Sequence, residues 1–326
     1  MKHKPEKIQN HFRGALLGTM IGDALGSPLE GSVNRQESGL LTKMIDYPYG
    51  KGRYTDDTQM TIALSEAFLQ ANLKVDQDLI ADKFGKHFDY NRGYARIAAN
   101  ILNAISCGIP WRDAVKFFGF ADGSYGNGAA MRVAPVSLAF CGDEAGIKNG
   151  AAKQSMISGH HHPDGIFGAQ MQALIVNWAL QDGLENLEFR KEDVFKSLMQ
   201  DAPPAYQMSL DWIRDNLDIN THPKEINRRV KSGVLASQAV CAAFWFFLYS
   251  LEVDKDSNPI VLAVNYSWDA DTVGAMTGAI AGAYYGAEWF KLEWVNDLEN
   301  GAAGKDYILS LADQMADAWL MNNQPC

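Results

Sequence analysis

The chain has 326 residues, 47% hydrophobic and 21% charged, with a formal net charge of -10. That apolar fraction supports a sizeable core and excludes global disorder. The acidic balance argues against a nucleic-acid partner held mainly through phosphate contacts, which needs a basic face. A phosphate-bearing small molecule stays open, because backbone N–H groups can hold a phosphate without any lysine. The cysteines Cys107, Cys141, Cys241 and Cys326 are far apart and follow no metal spacing, so they read as free thiols of a reducing, cytoplasmic compartment. No signal-peptide core follows the charged N-terminus.

In chain order, a small-residue apolar helix is expected over Phe12–Leu25, followed by a loop in which glycines and a proline surround Glu30. Thr55-Asp56-Asp57-Thr58 then precedes an amphipathic helix over Thr58–Ala71, whose apolar residues recur at the helical period. Taken alone, this acidic turn reads as an N-cap on the positive end of the helix. Helical patterns follow at Leu79–Phe88, Tyr94–Ser106 and Trp111–Phe118. The run Gly123 to Arg132 is glycine-rich; its amides can approach an anion, and Tyr125 offers a ring for a base to stack on. As a pattern it is neither a dinucleotide fingerprint nor a P-loop, and taken alone it reads better as a tight loop between helices. His160-His161-His162 cannot all face one ion, so one histidine lining a pocket is the better reading.

Further helices are expected at Gly165–Leu180, Val194–Met199 and Tyr206–Asn216. The stretch 183–232 is the most polar and reads as a variable cap within one domain spanning 1–326. Val234–Leu251 is the nearest approach to a membrane span, but Ser237 and Gln238 make it a buried core helix. Asp269-Ala270-Asp271-Thr272 opens another helix, Thr272–Tyr285, along which Gly274, Gly278, Gly282 and Gly286 recur every four residues. That glycine face would let another helix approach closely. A last helix is expected at Tyr307–Leu320, and runs with period-two alternation are scarce, so the fold class is mostly α.

Two acidic helix starts, each with a threonine, supply six oxygen donors and no sulfur or nitrogen. Such a set suits hard cations such as Mg²⁺ or Mn²⁺, and four carboxylates suit two ions better than one. Two metals can orient substrate oxygens and activate water. A loop carboxylate such as Glu30 beside them could serve as general acid or base.

Together these segments resemble the ADP-ribosylglycohydrolase family. The matching pieces are Gly14 to Gly18, Gly22 to Glu30, Tyr54 to Met60, Arg92-Gly93-Tyr94, Gly126 to Arg132, Ser158 to His160, and Asp269 to Gly286. The resemblance implies an all-α compact orthogonal helical bundle around a binuclear Mg²⁺ or Mn²⁺ centre. It implies that Thr55, Asp56 and Asp57 bind the metals with Asp269, Asp271 and Thr272, and that Glu30 or the metal-side Asp57 moves the proton. Gly93 and Tyr94 match the start of a diphosphate loop. Ser124, Tyr125, Gly126 and Asn127 match the segment around the adenosine end, with Phe120 facing Tyr125 across the adenine. His160 matches a substrate-pocket histidine.

The implied reaction is hydrolysis of the glycosidic bond between ADP-ribose and an acceptor, a protein or a small molecule, with no membrane involved. The glycine segments resemble most closely the branch that acts on serine-linked ADP-ribose and poly(ADP-ribose). Arginine-linked ADP-ribose, and a non-catalytic ADP-ribose-binding or structural member, are the alternatives. Three residues depart from the family pattern. Ser267-Trp268 stands where Gly-Gly is usual, which would place an indole on the acceptor side; Cys241 replaces a proline, and Gly159 a threonine.

Overall fold

The computed structural model describes residues 4–32, 39–46 and 50–323, so Cys326 and the first three residues of the charged N-terminus lie outside the described residues. Among the described residues the fold is all-α, with no strand and sixteen α-helices. The first eight are α1 (Pro5–Gly26), α2 (Asp56–Gln70), α3 (Gln77–His87), α4 (Arg96–Ser106), α5 (Trp111–Phe118), α6 (Ala134–Ala139), α7 (Glu144–Ile157) and α8 (Pro163–Glu185). The polar middle segment holds α9 (Lys191–Asp201), α10 (Pro204–Asp215) and α11 (Glu225–Arg229). The chain ends with α12 (Ala236–Glu252), α13 (Pro259–Tyr266), α14 (Ala270–Tyr285), α15 (Leu292–Asp297) and α16 (Lys305–Asn322).

Helix α14 is the axis of the molecule. Every residue from Ala270 to Ala283 is buried, because α1, α8, α12 and α13 all pack against it. A helix covered on all sides must be apolar or small all round, and this one is. Its most extensive contact is with α1, which carries its own glycines at the same four-residue spacing: Gly14, Gly18, Gly22 and Gly26. The two series interlock antiparallel. A Cβ placed on Gly14 would lie 2.0 Å from the Gly282 carbonyl oxygen, one on Gly18 2.0 Å from that of Gly278, and one on Gly22 1.9 Å from that of Gly274. The glycine face read in α14 thus has its partner at the other end of the sequence.

No helix among the described residues is long and apolar enough to cross a membrane. Helix α12 is a core helix, as its interrupted hydropathy implies, and it buries Trp245, Phe244, Phe246 and Phe247. It begins at Ala236 rather than Val234. Val234 and Leu235 are extended against the glycine-rich run instead: the Asn127 amide donates to the Val234 carbonyl at 2.9 Å and the Ala236 amide to that of Tyr125 at 3.0 Å. Helix α4 likewise begins at Arg96 rather than Tyr94, since Tyr94 and Ala95 belong to the turn that follows Gly93.

Candidate active site

The seam between α1 and α14 sets two acidic turns side by side. Asp23, on the last turns of α1, is fully enclosed and serves α2 rather than its own helix. Its carboxylate accepts from the amide and hydroxyl of Thr55 (2.9 and 2.8 Å at Oδ1) and from those of Thr58 (3.0 and 2.5 Å at Oδ2). Thr55 occupies the N-cap position of α2, but its side chain makes no cap; the cap comes from Asp23 in another helix. Asp56 and Asp57 are therefore released from capping. At α14 the N-cap residue Asp269 likewise makes no side-chain capping bond, while Asp271 Oδ1 accepts from the Thr272 amide at 2.9 Å.

The two turns converge. Thr272 Oγ1 lies 3.4 Å from Asp57 Oδ2, and Thr55 Oγ1 lies 3.3 Å from the same oxygen. Glu30, exposed after the short 3₁₀ turn Ser27–Leu29, joins from the other side: it, Asp269 and Asp271 each offer an oxygen within 4.8 Å of the others. The Gly31 amide donates to the Trp268 carbonyl at 2.8 Å, which ties the Glu30 loop to the second acidic turn. Asn127 donates from Nδ2 to Asp269 Oδ2 at 2.7 Å.

Burial and mutual repulsion make this cluster costly without a cation. Burial, then the neighbouring Asp23, raises the Asp56 carboxyl to about 8, and burial raises Asp23 to about 6 despite its four donors. Asp57 and Asp271 are pushed well above the usual carboxylate range, by burial first and by the surrounding aspartates second. Asp57 Oδ1 is buried and has no hydrogen-bond partner. An acceptor-only, all-oxygen cluster with an orphaned carboxylate oxygen at its centre fits a hard divalent cation.

Beside the cluster lies a cavity of about 230 Å³. Glu30, Asp56, Asp57, Asp269, Asp271 and Thr272 line its acidic wall, and Gly93, Ser124, Gly126, Asn127 and His160 line the rest. Gly93 has φ +91°, a left-handed turn that favours glycine, and it lies beside the Asp56 carboxylate. A second cleft of about 560 Å³ adjoins the first, sharing Ser124, Gly126 and Val234; Phe120 and Tyr125 line it, both about half exposed. His162 lines it too, with its ring 5.4 Å from that of Tyr125.

Three expected site residues stand apart from the cavity wall. Tyr94 is buried with its hydroxyl donating to Gln59 Oε1 at 2.8 Å, so it braces the Gly93 turn from behind. Thr55 is turned toward Asp23 and Asp57. Trp268 lines neither cleft; its backbone holds the Glu30 loop, and its indole is 42% exposed.

Other residues of the site went unassigned in the sequence. Asp23 stands in the sequence only as an acid in the small-residue run Gly22-Asp23-Ala24. Ser232, at the end of the polar middle segment, accepts at Oγ from the Trp268 amide (2.9 Å) and at its carbonyl from the Asp269 amide (2.9 Å). That segment therefore reaches the second acidic turn as well as covering α8 and α12, and no local pattern announces such a contact. Ser158 lies behind His160, and Arg132, bonded to Ser158, also lines the smaller cavity; both belong to runs quoted above without a role.

The chain is similar to known proteins in sequence and in fold. The sequence matches the family described as ADP-ribosylglycohydrolase over residues 4–325. It is 31% identical to an ADP-ribosylhydrolase ARH3 of Gallus gallus, covering 88% of this chain and 89% of that protein. Against the ADP-ribosylhydrolase ARH3 of Homo sapiens the identity is 28%, with 89% of each covered. The ADP-ribosylarginine hydrolase Tri1 of Serratia proteamaculans is 24% identical, over 93% of this chain and 78% of that one. The fold also matches a solved chain described as an ADP-ribosylglycohydrolase-related protein complex, with a TM-score of 0.71, 24% identity, and 96% and 99% of the two chains covered. The chain belongs to the ADP-ribosylglycohydrolase family and is a hydrolase of the glycosidic bond to ADP-ribose.

Proposed function

We propose that the protein releases ADP-ribose from an O-linked acceptor, serine-linked or polymeric, in a reaction that depends on two Mg²⁺ or Mn²⁺ ions. The observation that carries the metal dependence is the orphaned Asp57 oxygen between two acidic helix starts whose N-cap side chains make no capping bond. Thr55, Asp56, Asp57, Asp269, Asp271 and Thr272 would hold the ions. When bound, the ions supply positive charge that fixes the distal ribose hydroxyls and acidifies a water. The chain's own groups do the rest. Amides around Gly93 and Gly126 hold the diphosphate, in keeping with the acidic net charge. Phe120 and Tyr125 clasp the adenine in the larger cleft, and His160 contacts the ribose or phosphates in the smaller one.

Cleavage at an anomeric carbon passes through an oxocarbenium-like state and needs positioned carboxylates. Burial raises the pKa of Glu30, and Asp269 and Asp23 raise it further, which suits a group that takes a proton from water and returns one to the leaving group. The ADP-ribosylated protein or small molecule approaches over Trp268, whose exposed indole would border the acceptor. An O-linked acceptor is favoured over arginine because the relatives named ARH3 are more similar than the one named for arginine. We further propose that 1–326 acts as one domain, since the motifs that build the site come from both ends of the chain.

The deciding experiment is a panel of serine-linked, arginine-linked and polymeric ADP-ribose, assayed with each metal and with product analysis. Release of intact ADP-ribose from the first and third substrates is expected. AMP as product would overturn the glycosidic reading, and a preference for the arginine linkage would overturn the acceptor assignment. Trp268→Gly should change the ranking within the panel.

A further inference from the structure

Arg132 is almost wholly buried at the edge of the smaller cavity, and its guanidinium is hydrogen-bonded to neutral groups. Its donors go to neutral oxygens: Nε to Gln154 Oε1 at 2.8 Å, Nη1 to the Gly128 carbonyl at 2.5 Å, and Nη2 to Ser158 Oγ at 2.7 Å. Ser158 Oγ in turn lies 2.9 Å from Nδ1 of His160, which lines the smaller cavity. On its far edge the imidazole packs on the glycine-rich run: a Cβ on Gly128 would fall 2.9 Å from both Cε1 and Nε2. Gly159, with φ +79°, gives the sharp turn that brings Ser158 back under the ring of His160.

We propose that Arg132 and Ser158 are positioning residues that fix His160 as a neutral imidazole protonated on Nε2, so that it presents one N–H donor to an oxygen of bound ADP-ribose. The binding half of this inference rests on the functional reading above. The tautomer half follows from donor and acceptor accounting. A serine hydroxyl has one proton and can accept two bonds. Arg132 donates to Ser158 and can only donate, so it takes one accepting position. The remaining contact of Ser158 is His160 Nδ1, and Ser158 is buried. If Nδ1 carried the proton, the serine hydroxyl would face two donors and its own proton would have no acceptor, a penalty of the kind buried polar groups avoid. With Nδ1 unprotonated every group in the chain is satisfied, and the ring's proton sits on Nε2.

Protonation of both nitrogens is disfavoured as well. Burial, reinforced by the Arg132 charge, lowers the His160 pKa to about 3. Arg132 also holds the Gly128 carbonyl, so the same guanidinium sets the loop against which the ring rests. Held in this way His160 donates rather than carries a proton, in keeping with the proton transfer proposed above for the carboxylates.

The test is imidazole ¹⁵N NMR on the whole protein at neutral pH, combined with titration by ADP-ribose. The ligand-free wild type should show His160 with hydrogen on Nε2 and a hydrogen-bonded, unprotonated Nδ1. Finding hydrogen on Nδ1, or an imidazolium, would overturn the proposal without any variant having to fold. In Ser158→Ala the Nδ1 resonance should move and the Kd for ADP-ribose should rise about fivefold. In a His160→Ala background the serine substitution should change Kd by less than about twofold, because the coupled pair is already broken. Equal losses in both backgrounds would show that Ser158 acts as generic packing and would sink the positioning role. If His160→Ala binds ADP-ribose as tightly as wild type although the wild type shows the Nε2–H pattern, the donor role fails by itself, and the hydrolase reading is judged separately by the substrate panel.

Discussion

Gly278→Ala pits two effects of opposite sign against each other. By intrinsic propensity, alanine in a helix interior should stabilise by about 1 kcal/mol over glycine. The seam says otherwise. The added Cβ would stand 2.0 Å from the Gly18 carbonyl oxygen and 2.7 Å from its carbon, short of ordinary contact by more than an ångström. Backbone cannot rotate away as a side chain can. The helices cannot pivot about a neighbouring contact either, since the Gly14–Gly282 and Gly22–Gly274 approaches on both sides are equally tight. Overpacking costs typically about 1–3 kcal/mol even where side chains can yield, so a net loss of about 3 kcal/mol is expected here. For a chain of this size that lowers Tm by about 4 °C.

Gly150→Ala in α7 is the control, because its Cβ would meet only side-chain atoms of Val136 and Phe140, at 2.9 and 3.1 Å. There the strain and the propensity gain should nearly cancel. Thermal unfolding of both variants by circular dichroism, with Mn²⁺ titration of each, measures both the stability and the spacing of the acidic turns. A Gly278→Ala protein as stable as Gly150→Ala, or more stable than wild type, would refute the argument from backbone contact.

Other predictions follow from the site and from one cluster outside it. Because burial holds Asp56 at about 8 in the metal-free chain, Mg²⁺ or Mn²⁺ binding at pH 7 should expel at least one proton, and affinity should fall between pH 8 and pH 6. Calorimetric heats that do not vary with buffer ionisation enthalpy would contradict this. Asp23→Asn puts an amide N–H opposite the Thr55 or Thr58 donors, and should cost about 2 kcal/mol of stability and weaken metal binding about tenfold. Unfolding curves with and without metal check both effects. Glu30→Gln should keep metal affinity and lower kcat at least about a hundredfold; an unchanged rate removes Glu30 from the mechanism. At Glu66, burial raises the pKa, but bonds from Tyr307, Lys83 and His87 outweigh it and hold it below normal. Its contribution is therefore full above the unfolded pKa of about 4.3 and lost as pH falls through the folded value. Glu66→Gln should cost about 1 kcal/mol at pH 7, allowing for solvent screening, and little at pH 3.

Helices with strong local signals were readable one by one. Trp111–Phe118 has the expected bounds; α1 begins seven residues before the expected Phe12, α8 runs five residues past the expected Leu180, and the others among those expected agree to within about three residues at their ends. Five went unread: α6, α7, α11, α13 and α15. Helix α7 is interrupted by Gly146 and Gly150 and mixes Lys and Gln into its apolar face, so its period is weak, although the Asp143 cap was available as a signal. Helix α13 carries an Asn258 cap and Pro259 in its first turn, a start signature that its uniformly apolar body obscured. Helices α6, α11 and α15 span five or six residues, too short for a period to register.

At the site, residue type and spacing identified what the acidic turns contain but not how they are held. Thr55 looks like a cap in the sequence, and only the seam brings Asp23 close enough to take over that task. The glycines of α14 promised a close neighbour, yet nothing local says that the neighbour is α1, some 260 residues earlier. Val234 and Leu235 read as the first turn of a helix because their apolar character continues α12; backbone pairing with Tyr125 and Asn127 overrides that preference.

The seam has one more consequence, for how this protein can change over time. Where two backbones meet with no side chains between them, there are no rotamers to reshuffle, so a substitution on one helix has no compensating substitution on the other. If Trp268 borders the acceptor as proposed, a new acceptor would have to be accommodated at the rim, by Trp268 and the segment ending at Ser232, because the seam leaves the distance between the two acidic turns no room to adjust.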